Sequence, residues 1–506
     1  MFNAYLRKIY SSSTGYSNTF YPLFSTVHVK VGSEDVREGI LISTDAHSLR
    51  KYGVVYWSPA DKKGDIQVTH QDVTSGDIVE FATDTIYRMA PISASAYQEP
   101  TSAQQASRMP DAAEWLDAIQ IELNNMFNIK KCLQTIQPAL IPADAVILRM
   151  KMVFKVKRDE FGALAQRKVR LVVCGYSQIP GVHYDQSFAP TIAAASFRLF
   201  LITALQLKLT CMHIDVSAAF LNSDCKFENF CRLPTGVLFE GQSVAKMAKN
   251  IYGTHDAAIG WYEDQHALLL KLVPGIQRST AEPCYYCSYS PDLIVLIVVS
   301  VDDYAVAHNN NNWYSDFFNR YNAVYPSRDL GRLNLYLGIH LVWAPDGNSV
   351  FITQERAVHD SLTRHGLAEA NTAATPMDTT FDFAPVPADN VSPSFDYRSC
   401  MGDLLWMGRM AFPQILCAVI ILSAYSANFT EQHVTAIKRV LRYLKGVSKT
   451  GLRFARDPTV IQMKPLLFSI KTYTDADWGA CKVTRRSMTG AITTIFGSVV
   501  TITCRK

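Results

Sequence analysis

The sequence predicts an α+β fold, and three observations carry that prediction. A run of Leu, Ile and Val from Leu293 to Val301 is continuously apolar and is bounded by a proline and an acidic pair, which is typical of a strand buried on both faces. Residues 213–221 have the composition of a second strand around a single aspartate. Residues 111–126 and 433–446 instead repeat apolar side chains at the spacing of amphipathic helices. Strands and helices are therefore both expected in the core.

The length and composition of the chain indicate several domains. Its 506 residues, of which 48% are hydrophobic, can fill more than one core. No apolar segment reaches the length of a membrane span, and the N-terminal residues lack the charged start and apolar run of a secretory signal. We therefore expect an intracellular chain, in the cytoplasm or the nucleus, with no membrane partner.

The 11 cysteines do not form a regular framework, so in a reducing compartment they are most simply core or surface thiols. Cys284 and Cys287 have the spacing of a metal-binding pair. Because no second pair or nearby histidine accompanies them, they indicate zinc only weakly.

Asp302 and Asp303 follow the apolar strand directly, and Asp215 lies in the second strand. Two adjacent carboxylates repel each other and lose solvation, so they need solvent or a divalent cation nearby. Taken alone, the pair is more simply a turn after a core strand. With Asp215 and an aromatic five positions later, Phe220, the three carboxylates match the arrangement with which template-directed polymerases hold two Mg²⁺ ions.

The charge of the chain is unevenly distributed. Residues 431–506 contain 14 Lys and Arg against 4 Asp and Glu, and residues 1–430 contain 35 against 41. A second basic stretch, residues 149–170, has 8 positive and 2 negative side chains. Each patch alone is consistent with a solvated surface. Because the two patches flank a candidate metal site, we favour binding of nucleic acid or nucleotide.

The motifs around these acidic residues resemble the reverse transcriptase of copia-type retrotransposon Pol polyproteins. The VDDY of Val301–Tyr304 stands where reverse transcriptases carry their YxDD signature. Residues 151–178 resemble the family's basic fingers hairpin, with a turn at Gly162, and residues 329–341 resemble its primer-holding hairpin. The resemblance runs in unbroken motif order from Pro110 to the C-terminus.

The resemblance implies a right-hand polymerase with fingers, palm and thumb, followed by a partial ribonuclease H-like α/β segment. It sets the domain boundaries that we expect: a small β-rich segment at 1–90, similar to the one that follows the integrase core, a linker at 91–109, fingers and palm at 110–345, thumb and connection at 346–465, and a truncated ribonuclease H at 466–506.

The resemblance also assigns roles to individual residues. Phe220 would wall off the sugar and exclude a ribose 2′-hydroxyl, although a core phenylalanine is equally consistent with the sequence. The remaining roles are metal binding by Asp215, Asp302 and Asp303, nucleotide binding by Lys155 and Arg170, primer and template binding by Tyr336, Leu337, Gly338, Lys438, Arg442 and Lys445, and, in the ribonuclease H remnant, metal binding by Asp475.

The function implied is that of an RNA-directed DNA polymerase, which adds deoxynucleotides to a primer 3′-end with two Mg²⁺ ions, or Mn²⁺ in their place. The expected partners are an RNA template, a DNA primer, the RNA–DNA hybrid, deoxynucleoside triphosphates and other parts of a Pol polyprotein. We expect no ribonuclease H activity, because Asp475 lacks its partner carboxylates.

The alternative is a catalytically degenerate remnant that at most binds nucleic acid. It is favoured by His255, Asp256 and Ile259, which stand where the family has Lys, Gln and Arg. A carboxylate at position 256 would add a negative charge beside phosphates and weaken template or nucleotide binding. An integrase is a weaker alternative, because no integrase core is recognisable in the sequence.

Overall fold

The computed structural model describes residues 98–158, 164–378, 381, 386–387, 389–390, 392–457, 469–479 and 485–505, together with five strands between residues 26 and 81. The chain forms two compact units, one of Met1–Thr101 with Phe154–Lys168 and one of Ser102–Val153 with Val169–Lys506. The turn predicted at Gly162 lies outside the described residues.

The first unit contains an antiparallel five-stranded sheet with the order β4-β3-β2-β1-β5. Strands β3 and β4 are paired along their full length. The strands are β1 (Thr26–Val31), β2 (Asp35–Thr44), β3 (Lys51–Ser58), β4 (Gln67–Thr74) and β5 (Ile78–Phe81).

The helices described by the structure all lie in the second unit. They are α1 (Ala103–Ala106), α2 (Ala112–Asn124), α3 (Ala194–Gln206), α4 (Ala257–Leu272), α5 (Asn311–Val324), α6 (Glu355–Arg364), α7 (Tyr397–Met410), α8 (Leu416–Ser423) and α9 (Glu431–Val447). Single turns of 3₁₀ or π helix occur at Asn125–Ile129, Pro138–Leu140, Gly175–Ser177, Ala219–Asn222 and Pro413–Ile415. None of the helices in the described part is long and apolar enough to cross a bilayer.

The remaining strands follow in chain order. They are β6 (Leu133–Thr135), β7 (Ile147–Arg158), β8 (Leu164–Val173), β9 (Thr210–Val216), β10 (Phe230–Arg232), β11 (Val244–Met247), β12 (Gln277–Arg278), β13 (Tyr285–Tyr289), β14 (Ile294–Ser300), β15 (Asp303–His308), β16 (Ser327–Arg332), β17 (Leu335–Tyr336), β18 (Ile339–Trp343), β19 (Ser349–Thr353), β20 (Leu452–Ala455), β21 (Ile470–Ala476), β22 (Thr489–Ile495) and β23 (Ser498–Arg505).

A six-stranded sheet, β12-β13-β14-β15-β9-β16, forms the centre of the second unit. Its strand β14 is buried on both faces, as the apolar run predicted. Leu296 and Val298 pack in the cluster that contains α3, whereas Val295 and Ile297 pack in the cluster that contains α4 and α5. A sheet covered on both faces holds the ends of its strands in fixed positions, which is what a catalytic constellation needs.

A second sheet, β6-β11-β10-β7-β8, extends the basic hairpin and is tied to helix α2. Glu122 of α2 is buried and accepts a hydrogen bond of 2.9 Å from the backbone N–H of Leu171. Trp115 and Ala118 of the same helix are buried as well. Helix α2 is therefore packed in the core and fastened to β8 by one buried hydrogen bond.

Helices α6 to α9 pack around their own apolar cluster. The apolar stripe predicted for residues 433–446 is confirmed, because its members in α9 are fully buried: Ile437, Val440, Leu441 and Leu444. Helix α1 lies in the stretch expected to be a linker, whose residues 91–97 are outside the described part.

The C-terminal residues form an antiparallel sheet, β21-β22-β23. Phe496 and Val500 pack in the same cluster as α3, and the buried guanidinium of Arg198 donates to the carbonyls of Val500, Arg409 and Met410. The sheet is therefore fastened to the central core. Three antiparallel strands do not define a ribonuclease H fold, and that part of the expectation stays a prediction.

Candidate active site

The acidic residues predicted to act together meet at one end of the central sheet. Asp303, the first residue of β15, stands directly opposite Asp215 of β9 in the antiparallel register. Directly opposed residues of antiparallel strands lie about 5 Å apart and project to the same face. The neighbouring strand β16 places Arg328 opposite Asp215 on its other side. Asp215 is thus flanked by a carboxylate and by an exposed guanidinium.

Asp302 lies in the two-residue turn between β14 and β15, whose ends are closed by the pair Ser300 and Asp303. Its carbonyl accepts a hydrogen bond of 2.8 Å from the backbone N–H of Val216, which fastens the turn to β9. Burial raises the pKa of the Asp302 carboxyl group, and the charges of Asp303 and Asp215 raise it further. The positive charge of Arg170 lowers it. The three carboxylates and Arg170 therefore share one electrostatic environment.

One of these carboxylates already has a partner within the protein. Nε2 of the buried His213 lies 3.0 Å from Oδ1 of Asp303. The ring of His213 meets the ring of Tyr336 edge-on at 5.9 Å, and the Tyr336 hydroxyl donates to the carbonyl of Asp303 at 3.4 Å. Asp303 is therefore held at its side chain and at its backbone.

Arg170 of β8, which acts electrostatically on Asp302, belongs to a group with two aromatic rings. The Arg170 guanidinium lies 5.7 Å from the ring centroid of Tyr252, and that ring meets Phe220 edge-on at 6.2 Å. Phe220 is half-buried and also packs against the core cluster of α4 and α5. The arrangement joins a cation and two aromatic rings beside the carboxylates, and it leaves both interpretations of Phe220 open.

Lys155, the other residue expected at the nucleotide, belongs to the first unit. Its ammonium group pairs with Glu99 at 2.6 Å, and Glu99 also accepts a hydrogen bond from the backbone N–H of Val156. The lysine side chain remains exposed. Its contact with a triphosphate stays a prediction.

The hairpin predicted to hold the primer is formed by β17 and β18. Its residues differ in burial and in backbone conformation. Tyr336 is fully buried, so a contact with the primer would have to come from its backbone, and its primer-binding role stays a prediction. Leu337 and Gly338 form the turn with φ angles of 50° and 73°. Gly338 lies against Trp406 of α7, where an added Cβ would come within 3.2 Å of the indole. A glycine is therefore required here by both conformation and space.

The basic side chains of α9 contact other parts of the chain itself. Arg442 donates to the carbonyl of Asn371 at 2.6 Å, and Lys445 donates to the carbonyl of Ala370 at 2.9 Å. Lys438 lies 5.7 Å from the ring centroid of Phe395. These contacts give the three cations a structural role, and duplex binding by this face stays a prediction.

Asp256 and Asp475 occupy very different environments. Asp256 is buried at the start of α4, where burial raises its pKa and hydrogen bonds from Thr254 and Gln178 oppose the shift. The effect of its charge on template binding stays a prediction. Asp475 is exposed on β21 and accepts a hydrogen bond from the N–H of Ala476.

The chemistry of the acidic group fits a hard divalent cation. Carboxylate oxygens on the ends of adjacent strands are the ligands that Mg²⁺ prefers, and Mg²⁺ completes its shell with water and substrate phosphates. Within the described ranges, no group of three or more His, Cys, Asp or Glu side chains is close enough to hold an ion by itself. At the other candidate metal site, Cys284 is buried and Cys287 is exposed, so the two thiols do not converge.

Three residues of this region had no role assigned from the sequence. His213 and Arg328 lie beside Asp303 and Asp215, and Tyr252 stacks with Arg170. For His213 a signal was present, since residues two apart on a strand share a face and His213 precedes Asp215 by two. The position of Arg328 depends on strand order and that of Tyr252 on a long-range contact, so neither could be found from the sequence.

Comparison with known proteins agrees with the motifs. Residues 135–379 match the family described as reverse transcriptase (RNA-dependent DNA polymerase). The Pol polyprotein from transposon TNT 1-94 of Nicotiana tabacum is 26% identical over 412 residues, which are 80% of this chain and 30% of that protein. The Pol polyprotein from transposon RE1 of Arabidopsis thaliana is 27% identical over 393 residues, 77% of this chain and 26% of that protein.

The region at 135–379 is thus of the reverse transcriptase class. The family match and the similarity to plant Pol polyproteins support a copia-type retrotransposon reverse transcriptase region, as the motifs predicted. It spans less than a third of the length of the two plant polyproteins. A solved foamy viral protease–reverse transcriptase in complex with double-stranded DNA aligns with 96% of this chain and 85% of its own, at 11% identity and a TM-score of 0.40. A score of that size does not by itself define a shared fold.

Proposed function

We propose that this chain is an RNA-directed DNA polymerase that adds deoxynucleotides to the 3′-end of a DNA primer. One observation carries the proposal: Asp215 and Asp303 face each other in register at the end of the central sheet, and Asp302 lies in the adjoining turn. The strand register fixes the backbone positions of Asp215 and Asp303, and the hydrogen bond from Val216 to the Asp302 carbonyl fixes the turn. Such preorganisation is what a positioned reaction between two substrates requires.

Two Mg²⁺ ions, or Mn²⁺ in their place, are the proposed cofactors. When bound, such ions lower the charge on the attacking 3′-oxygen and on the leaving pyrophosphate. The chain's own contribution is the placement of Asp215, Asp302 and Asp303 as oxygen ligands. Burial, together with the charges of Asp303 and Asp215, raises the pKa of Asp302, and a cation bound at these carboxylates would offset that cost of ionisation, which supports this role.

The nucleotide is proposed to lie beside these carboxylates, against Arg170, Tyr252 and Phe220. The Arg170 guanidinium can donate several hydrogen bonds to phosphate oxygens, and the nucleotide-binding role of Lys155 is proposed from its charge alone. Phe220 would face the sugar as a rigid wall. The turn residues Leu337 and Gly338 are proposed to contact the primer end, while Tyr336 supports them from the core.

The natural substrates are proposed to be an RNA template, a DNA primer and their hybrid, handled inside the cell in the cytoplasm or the nucleus. Fingers and palm at 110–345, thumb and connection at 346–465 and a ribonuclease H-like piece at 466–506 remain the proposed domains. Other parts of a Pol polyprotein are proposed partners. Asp475 alone is not expected to support cleavage of RNA in a hybrid.

Primer extension tests the proposal directly. The full chain is incubated with a DNA primer annealed to a defined RNA template, the four deoxynucleoside triphosphates and either Mg²⁺ or Mn²⁺. Template-dependent extension that disappears on chelation of the metal is the expected result. Retention of the hybrid without any extension would instead favour the degenerate remnant.

A further inference from the structure

The turn that carries Asp302 has an unusual backbone. Val301 has a φ angle of 57°, in the left-handed region. Among the non-glycine residues with positive φ in the described part, it alone is β-branched. A β-branched side chain is a genuine outlier there, and a two-residue hairpin loop with positive φ at its first residue normally has glycine at that position. The surroundings must therefore hold the turn in this conformation.

The contact that holds it comes from outside the two strands. The indole Nε1–H of Trp261, in α4, donates to the carbonyl of Val301 at 2.6 Å. That carbonyl belongs to the peptide plane joining Val301 to Asp302. The next peptide plane is held from the opposite strand by the N–H of Val216, which donates to the carbonyl of Asp302. Both peptide planes that flank Asp302 are thus fixed.

Trp261 is itself immobilised. It is only 1% exposed, and its ring meets that of Tyr325 edge-on at 4.9 Å. It belongs to the same apolar cluster as Val299 and Tyr304, which lie on the two strands that the turn connects. The indole therefore cannot move away without disturbing the packing beneath the turn.

We infer that Trp261 is a positioning residue that keeps the strained Val301 turn in place and thereby places the carboxylate of Asp302. This inference rests on the proposed function, because that function explains why the position of Asp302 matters. It concerns cation binding at Asp302 and not polymerisation itself. The hydrogen bond offsets the cost of a left-handed valine. If the bond is lost, the turn relaxes towards an ordinary conformation and Asp302 leaves its neighbours.

A rescue experiment separates this role from simple packing. The full chain is prepared with Val301 or with Val301→Gly, and each form is combined with Trp261 or Trp261→Phe. Glycine adopts positive φ without strain, so the turn should no longer need the indole. In a further variant, Trp261 is replaced by β-(3-benzothienyl)alanine. This amino acid keeps the shape of the indole and removes only its N–H donor. Trp313→Phe, in the same apolar cluster, is the packing control.

The primary readout is the Mn²⁺ affinity of each protein, measured from free Mn²⁺ by electron paramagnetic resonance. With Val301 present, loss of the indole N–H should weaken Mn²⁺ binding about tenfold, and in the Val301→Gly background by less than about threefold. Trp313→Phe should have no comparable effect. The kcat for nucleotide addition, measured in parallel, should follow the same pattern.

Equal losses of Mn²⁺ affinity in the two backgrounds, or an equal loss in Trp313→Phe, would overturn the inference while leaving the polymerase proposal intact. Rescue of Mn²⁺ binding without any primer extension would support the inference and contradict the proposed function. A natural chain that binds no Mn²⁺ would contradict both.

Discussion

Nε2 of His213 lies 3.0 Å from Oδ1 of Asp303, and both residues project from adjacent strands onto the face that carries Asp215. The imidazole is buried, so it fixes one carboxylate oxygen and leaves the other available to a cation or to solvent. Tyr336 packs edge-on against the same ring. The acidic group is thus supported from below by a histidine and a tyrosine.

This contact predicts the effect of changing His213. In His213→Leu the Asp303 carboxylate loses its donor and can rotate away, so kcat for nucleotide addition should fall about tenfold, as for a lost hydrogen bond of roughly 1.4 kcal/mol. His213→Gln keeps a donor of similar reach and should retain most of the activity. Steady-state kinetics of single-nucleotide addition measures both. An unchanged kcat in the leucine variant would remove His213 from this role.

The sequence was sufficient for the strand that ends at Ser300 and for the buried stripe of α9, because each depends on local periodicity. It placed the strand around Asp215 at 213–221, whereas β9 is Thr210–Val216 and is followed by a 3₁₀ turn. It was not sufficient for the bond between Trp261 and Val301, which joins residues 40 positions apart and depends on where α4 packs. It also did not show that the Tyr336 ring lies in the core. Side chains alternate between the two faces of a strand, so the register of the strand decides whether the Tyr336 ring faces the core or the solvent. A shift of one residue in the register reverses that choice.

The basic face of α9 is another feature that could be predicted from the sequence only in part. Periodicity correctly placed Lys438, Arg442 and Lys445 away from the apolar stripe. What occupies that face is the segment that includes Ala370 and Asn371, more than 70 positions earlier in the chain. A charge pattern indicates a polar surface, but it does not indicate whether backbone carbonyls or phosphates meet the charges.

The two interpretations of Phe220 can be separated by sugar selectivity. If Phe220 faces the sugar, Phe220→Val should raise the use of ribonucleotides relative to deoxynucleotides by about 100-fold, because the steric wall is removed. Competition between labelled ribo- and deoxynucleoside triphosphates measures the ratio. Phe318→Val, a half-buried phenylalanine of the same cluster, is the matched control and should change stability only. Lowered stability with unchanged selectivity in Phe220→Val would identify a core residue.

Burial raises the pKa of the Asp256 carboxyl group, and this gives its contribution to stability a definite dependence on pH. The ionised form is disfavoured in the folded state. The penalty is therefore absent below the ordinary carboxyl pKa of about 4, and it grows as pH rises through the raised folded-state value. Asp256→Asn should be more stable than the natural chain at pH 8 by about 1 kcal/mol, and the difference should shrink towards pH 4. Urea unfolding at several pH values measures this difference; a constant difference would contradict the assignment.

Arg198 fastens the C-terminal sheet to the core, since its buried guanidinium donates to carbonyls of β23 and of the end of α7. Burial lowers its pKa to about 10, so it remains charged at neutral pH. Arg198→Met leaves those carbonyls without a donor and should cost about 3 kcal/mol of unfolding free energy. Arg320→Met, which breaks an exposed pair with Asp316, should cost less than about 1 kcal/mol. Similar costs for both variants in urea unfolding would refute the fastening role.

The central claim is that Asp215, Asp302 and Asp303 act together in metal-dependent nucleotide addition. The most direct measurement is the rate of single-nucleotide addition by the full chain and by Asp302→Asn, with Asp316→Asn on the exposed face of α5 as the matched control. The substitution at 302 keeps the shape of the side chain and removes the charge that a cation needs. We predict a loss of at least about 1,000-fold in Asp302→Asn and a rate within about twofold of the natural chain in Asp316→Asn. Addition by Asp302→Asn at the rate of the natural chain would contradict the account.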